Sequence, residues 1–261
     1  MTNNNGLGNL DDLFQSAHDD GLTDKTMNLV VSNLNGPTMA TAVGAPLDQL
    51  ASNDVTLAMN IIDMSGSMMP YASDLIHAYN EAYLEAMRGS SAAEDILVST
   101  ILFNNQVYLL HGYMPLLDTP PLTRSQYMPA GSTALYDAVA GGLTNMVLYA
   151  QQLRQSGVMV RCIVIVYSDG EDNASRQKAR DIRRAAEELL KHEIYTLAYV
   201  GFRQGGIKQS EVQELANRIG FPEVLTAGLS HKELRRIFHL VSQSTVRVSQ
   251  QGGVSSVIFA P

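Results

Sequence analysis

Asp63, Ser65 and Ser67 alternate along a single turn, Asp63-Met64-Ser65-Gly66-Ser67-Met68. The turn directly follows an apolar run, Val55 to Ile62, and directly precedes a long helical pattern. It therefore leaves the C-terminal end of a buried strand, the crest at which open α/β sheets bind ligands. A carboxylate and two hydroxyls on such a turn can converge on one spot. All are hard oxygen donors, the set that suits Mg²⁺ or Mn²⁺. Gly66 lets the turn bend where a side chain would obstruct it. Two later stretches bring donors of the same kind. Gly131-Ser132-Thr133-Ala134-Leu135 opens a second helical pattern with a threonine hydroxyl, and Ser168-Asp169-Gly170 ends a second apolar strand with a second carboxylate.

Asp-x-Ser-x-Ser, then a Gly-x-Thr turn, then a strand-terminal Asp-Gly, in that order, resembles the metal-ion-dependent adhesion site of the von Willebrand factor A family. The resemblance extends from about Asn53 to Gln250. Carried over residue by residue, it implies a metal site made of Asp63, Ser65, Ser67, Thr133 and Asp169, holding Mg²⁺ or Mn²⁺ with one position open or water-filled. An Asp or Glu of a partner protein would fill that position. The final helix, with its run Leu240-Val241-Ser242-Gln243-Ser244, resembles the TerY-like branch of stand-alone bacterial domains. That branch implies a cytoplasmic module of stress-response or tellurite-resistance systems, with a kinase and phosphatase, or a MoxR-type ATPase, as partners.

The elements that must position these residues follow from periodicity. Strand and helix patterns alternate, which gives an α/β fold: a doubly wound, mostly parallel sheet with helices on both faces. The expected strands are Val55 to Ile62, Ile96 to Phe103, Val160 to Tyr167, Ile194 to Val200 and a short edge strand, Glu223 to Thr226. Asn104-Asn105 is a tight turn from which Gln106 to Leu110 returns as an antiparallel edge strand. Helices are expected from near Pro70 to Arg88, with Tyr79 and Tyr83 facing the core, and over Thr133 to Gln155, Ser175 to His192 and Gln209 to Ile219. A last helix is capped by Ser230 and Glu233. Gly112 to Ala130 reads as a long loop leading to Thr133 and so lying beside the metal. Asp63 is expected on the solvent-facing crest, where its removal opens no core cavity. Asp137 either supports the site or is an ordinary helix-start aspartate. Glu171 and Asp172 are turn residues within reach of the metal.

Residues 1–53 read as an N-terminal extension, partly disordered or a docking arm, 54–250 as the domain and 251–261 as a tail. In the extension, disorder is expected over the first dozen residues. Leu10, Leu13, Phe14 and Ala17 have helical spacing, Asn28 to Ser32 reads as an added edge strand, and Asn35-Gly36-Pro37 is a turn signal.

Composition narrows the function. The 261 residues are 45% hydrophobic, enough for one large core, and the net charge is −8, from 18 basic and 26 acidic residues. That balance argues against non-specific binding to nucleic acid or anionic membrane. Cys162, the one cysteine, lies in an apolar strand and reads as a small buried hydrophobe. No signal peptide or membrane-spanning run is expected, and a cytosolic, monomeric protein is the simplest reading. The histidines (His18, His77, His111, His192, His231 and His239) show no metal-ligand spacing. A metal-dependent phosphoester hydrolase and a scaffold with a purely structural ion are the alternatives to a binding module. Phosphate-cradling and dinucleotide-binding Gly-rich loops are absent, as is a nucleophile elbow, so no enzyme activity is expected.

Overall fold

Val55, Leu57, Met59 and Ile61 point to one side of a strand while Ala58 and Ile62 point to the other, and all are buried. Such two-sided burial is what a near-continuous apolar run produces at the centre of a parallel sheet. This strand is β1 (Asp54–Asp63) of a computed structural model that describes residues 15, 17–19, 21–33, 44–170, 172–203 and 208–250. The other strands are β2 (Ile96–Phe103), β3 (Val107–Pro115), β4 (Met159–Ser168), β5 (Tyr195–Phe202) and β6 (Glu223–Ala227). They form a six-stranded sheet in the order β3-β2-β1-β4-β5-β6. β3 pairs antiparallel to β2, and every other pairing is parallel. The chain reverses its winding direction beside β1, between β2 and β4, which opens a crevice at the C-terminal ends of these strands.

Seven helices are labelled in chain order: α1 (Asp24–Asn33), α2 (Ala72–His77), α3 (Ala86–Arg88), α4 (Leu135–Gln155), α5 (Ala179–Leu189), α6 (Gln209–Ile219) and α7 (His231–Gln250). A π-helical stretch, Ala78–Glu85, joins α2 to α3 without a break. One face of the sheet is covered by α1, α4, α5 and α6, and the other by the α2–α3 run and α7. This is the doubly wound architecture, with one antiparallel edge strand, that the family resemblance implies.

Local details depart from the sequence reading. Residues Asn28 to Ser32, read as an edge strand, lie inside helix α1. Two adjacent valines suggested a strand. However, Thr26, Met27, Leu29 and Val30 are buried at helical spacing, and α1 packs on α4 and α5, so tertiary packing outweighs a weak β propensity. Helix α2 begins at Ala72 and not near Pro70, because Gly66–Tyr71 first winds as a 3₁₀ helix containing Pro70. β3 continues to Pro115, taking the first residues of the expected loop. Gly112 sits where the β2–β3 register shifts, and Pro115 lies on an edge strand, which tolerates a missing N–H donor. Of the expected helix at Leu10, Leu13, Phe14 and Ala17, Ala17 alone is described, and it is helical and buried. The first dozen residues and the turn at Asn35-Gly36-Pro37 lie outside the described residues.

Candidate metal centre

β1 ends at Asp63 and β4 ends at Ser168, on adjacent parallel strands. The topology thus brings the two turns that follow them together at one crest. Four of the expected donors are joined directly. The Ser67 hydroxyl donates to Asp169 Oδ1 at 2.9 Å. Ser65 Oγ and Ser67 Oγ share a hydrogen bond of 3.0 Å. The Ser65 N–H donates to Asp63 Oδ1 at 2.8 Å, which folds the turn back on its own carboxylate. Thr133 is tied in through its backbone. Its N–H donates to Asn173 Oδ1 at 2.8 Å, and its carbonyl accepts from the N–H groups of Asn173 and Ala174. The neighbouring Gly131 carbonyl accepts the Gly66 N–H at 3.0 Å. The Thr133 turn is therefore laced to the loop after β1 on one side and to the loop after β4 on the other.

Asp63, Ser65, Thr133 and Asp169 are buried and Ser67 is exposed, so the cluster opens to solvent on the Ser67 side. Here the structure corrects the sequence reading of Asp63. The side chain has no exposed surface, and its Oδ2 accepts a 2.6 Å hydrogen bond from the Ser168 hydroxyl. Tyr127 is also buried, and its hydroxyl donates to the Asp63 carbonyl at 2.6 Å. Burial pushes the Asp63 carboxyl up to about 6, against the pull of the hydrogen bonds from Ser168 and Ser65, and the Asp169 charge adds to the rise. Burial raises Asp169 as well, opposed by the Ser67 hydrogen bond. Among the described residues, no positive charge favours the ionised form of either carboxylate.

One atom is left over. Asp169 Oδ2 is buried without a hydrogen-bond partner among the described residues. An orphaned buried carboxylate oxygen costs desolvation free energy with nothing to offset it. Placed beside the Ser65 and Ser67 hydroxyls and the Asp63 carboxylate, it fits a hard cation.

The supporting residues were only partly legible. Asp137 accepts the N–H groups of Arg176 and Gln177, and the Asp137 N–H donates to Ser175 Oγ at 3.0 Å. Asp172 accepts the Tyr136 N–H at 3.2 Å. These two aspartates therefore bind the loop after β4 to the first turn of α4 and satisfy N–H groups there. Glu171 lies outside the described residues. Ser168, Tyr127 and Asn173 were missed. Ser168 alone carried a signal, since it precedes Asp169 at a strand end beside β1. The loop toward Thr133 is pinned, with Leu116, Leu122 and Tyr127 buried and the Asn80 amide bonded to the backbone of Leu122.

No family profile matches the sequence, and no curated protein matches it. Solved structures do. The PilB minor pilin from Streptococcus sanguinis aligns over 79% of this chain and 63% of that one, at 14% identity and a TM-score of 0.51. The pilus adhesin SpaC from Lactobacillus rhamnosus GG, in an open conformation, aligns over 76% of this chain and 31% of that one, at 12% identity and a TM-score of 0.53. Proximal thread matrix protein 1 from the mussel byssus, with a zinc-occupied MIDAS motif, aligns over 75% of this chain and 46% of that one, at 16% identity and a TM-score of 0.47. The chain therefore spans less than two thirds of each of these structures. At such identities the likeness concerns the fold, and function is argued from the site itself.

Proposed function

We propose that the crest holds a Mg²⁺ or Mn²⁺ ion on Asp63, Ser65, Ser67, Thr133 and Asp169, and presents it to an Asp or Glu of a partner protein. The observation that carries this reading is the unpartnered, buried Oδ2 of Asp169 within a cluster of hard oxygen donors. Two carboxylates match a dication in charge, while the hydroxyls are neutral, so the ion stays electron-poor and attracts a further carboxylate. The opening on the Ser67 side gives that carboxylate a route in. SpaC, which shares the fold, is a pilus adhesin, and a binding role, not bond-making chemistry, is the reading adopted for this chain. No described helix is long and apolar enough to cross a membrane. The kinase, phosphatase or MoxR-type ATPase implied by the resemblance are the first partners to test.

Titration calorimetry with Mg²⁺ and Mn²⁺ tests the ion. Wild type should bind one equivalent, and Asp169→Ala and Thr133→Ala should lose it or bind far more weakly. Capture of a purified partner should then vanish with chelator, return with Mg²⁺, and fail when the partner's key Asp or Glu becomes Asn or Gln. A wild-type chain that takes up no ion would sink the proposal. Ion binding without ion-dependent capture would leave the scaffold reading in its place.

A further inference from the structure

Two strips of chain border the side on which the crest cluster opens, and neither carries a charged residue. Met64 to Ser73 runs from the Asp63 turn into α2, and Tyr127 to Tyr136 runs from the long loop through Thr133 into α4. Backbone hydrogen bonds tie the strips side by side. The Ala130 N–H donates to the Met64 carbonyl, and the Gly66 N–H to the Gly131 carbonyl, each at 3.0 Å. The Met128 N–H donates to Met64 Sδ at 3.2 Å. Farther from the crest, Asn80 holds the backbone of Leu122 through both ends of its amide. The loop therefore runs back along the first strip.

Each strip exposes a methionine beside the opening. Met69 follows the exposed Ser67 by two residues in the 3₁₀ turn and is 56% exposed. Met128, held against Met64, is 63% exposed. Pro70 and Ala130 next to these positions are exposed as well. A single exposed apolar side chain is ordinary. Two on strips laced together at a proposed ion site mark a surface that gains by being covered. The strips offer no cation to a further carboxylate, so a run of acidic residues finds no charge partner on them. Apolar groups laid over the strips leave water, and they screen the ion and its new carboxylate from solvent, which strengthens that attraction. Methionine is unbranched and polarizable, so both side chains can mould to an aliphatic neighbour.

We propose that Met69 and Met128 are specificity-determining residues of the crest, and that the partner's Asp or Glu is flanked in its own chain by large aliphatic side chains that pack on them. This rests on the reading of the crest as an ion-dependent docking site.

Blocked peptides test it with the full chain in excess Mg²⁺. The probes are acetylated, amidated Gly-Leu-Asp-Leu-Gly and Gly-Gly-Asp-Gly-Gly, with affinities read by NMR titration. The leucine peptide should bind wild type about tenfold more tightly, the effect of roughly two methylene groups taken from water, and chelator should abolish binding of both. Met69→Ser with Met128→Ser should erase the preference, while calorimetry shows Mg²⁺ uptake unchanged. Met159→Ser, at the equally exposed start of β4, should keep the preference. Circular dichroism checks that the variants fold. Wild type that binds Mg²⁺ but treats the peptides alike, or binds neither, overturns the proposal. So does a preference that survives in the double variant. Mg²⁺-dependent dimerisation in analytical ultracentrifugation that blocks the peptides would give the rim to a second copy and overturn it too. Failure to take up Mg²⁺ would instead show that the crest reading itself is wrong.

Discussion

Asp63 carries two duties that pull in different directions. Its carboxylate accepts the Ser65 N–H and the Ser168 hydroxyl, so it shapes the turn, while burial disfavours the charge that a cation needs. The two duties separate by substitution. Asp63→Asn keeps an acceptor for Ser65 and a polar group toward Ser168, so it should fold with nearly wild-type stability but lose Mg²⁺ binding. Asp63→Ala strands two buried donors and should cost about 1–3 kcal/mol on top of the loss of binding. Urea denaturation in chelator checks both. Equal stability of Asp63→Ala and wild type would show that the turn does not depend on these hydrogen bonds. The expectation that Asp63 is structurally dispensable came from placing it on an open crest. The structure instead buries the carboxylate, with Ser168 of the sheet neighbour β4 as its partner, and the stability of Asp63→Ala decides whether the residue is dispensable.

Elements set the site by their spacing. β5 and α6 approach so closely that a Cβ on Gly201 would lie 2.1 Å from Val212 Cγ1. Val212 is β-branched and stiff at χ1, so it cannot simply turn away. Gly201→Ala should destabilise the protein by about 1–3 kcal/mol in denaturant titration while leaving metal affinity unchanged, since β5 carries no proposed ligand. The edge hairpin holds a pH-sensitive group. His111 pairs with Thr100 across β2–β3, its Nδ1 lies 3.1 Å from the Gly112 carbonyl, and its Nε2 is buried with no close hydrogen-bond partner among the described residues. Burial lowers its pKa below the usual 6.5. The unfolded chain therefore takes up this proton at higher pH than the folded one. The stability tied to His111 is present above 6.5 and is lost as pH falls from there through the folded value. Melting temperatures at stepped pH from 7.5 to 5.0 should fall more steeply for wild type than for His111→Gln; parallel slopes would rule His111 out.

At the scale of the whole molecule, the described part of the N-terminal extension is held on the domain by Glu188 of α5. Glu188 accepts the Thr23 hydroxyl at 2.6 Å and the Thr23 N–H at 3.2 Å, and also binds the Thr26 hydroxyl. These bonds fix the start of α1, while Leu22, Met27 and Leu29 join the core beside α4 and α5. Glu188→Ala should release α1 before the sheet unfolds, because the anchor lies outside the strands. Hydrogen exchange should show lost protection over residues 24–33 with the β1 amides unchanged. Uniform loss across the sheet would mean that α1 and the domain unfold as one unit.

That Asp63, Ser65, Ser67 and Asp169 meet at one crest beside the Thr133 turn, the strands that end there and the mostly parallel sheet were all legible in the chain. Each rests on local order: an apolar run fixes a strand, and the residues just past its end must sit on the crest. The capped start of α7 was legible for the same reason, since Ser230 and Glu233 act on each other within one turn. What crosses between elements was not. Ser168 as the donor to Asp63, helix α1 in place of a strand, the reach of β3 past Gly112, and His77 brought beside His231 depend on which elements become neighbours. Periodicity reports that a face is buried; only the fold decides what lies against it.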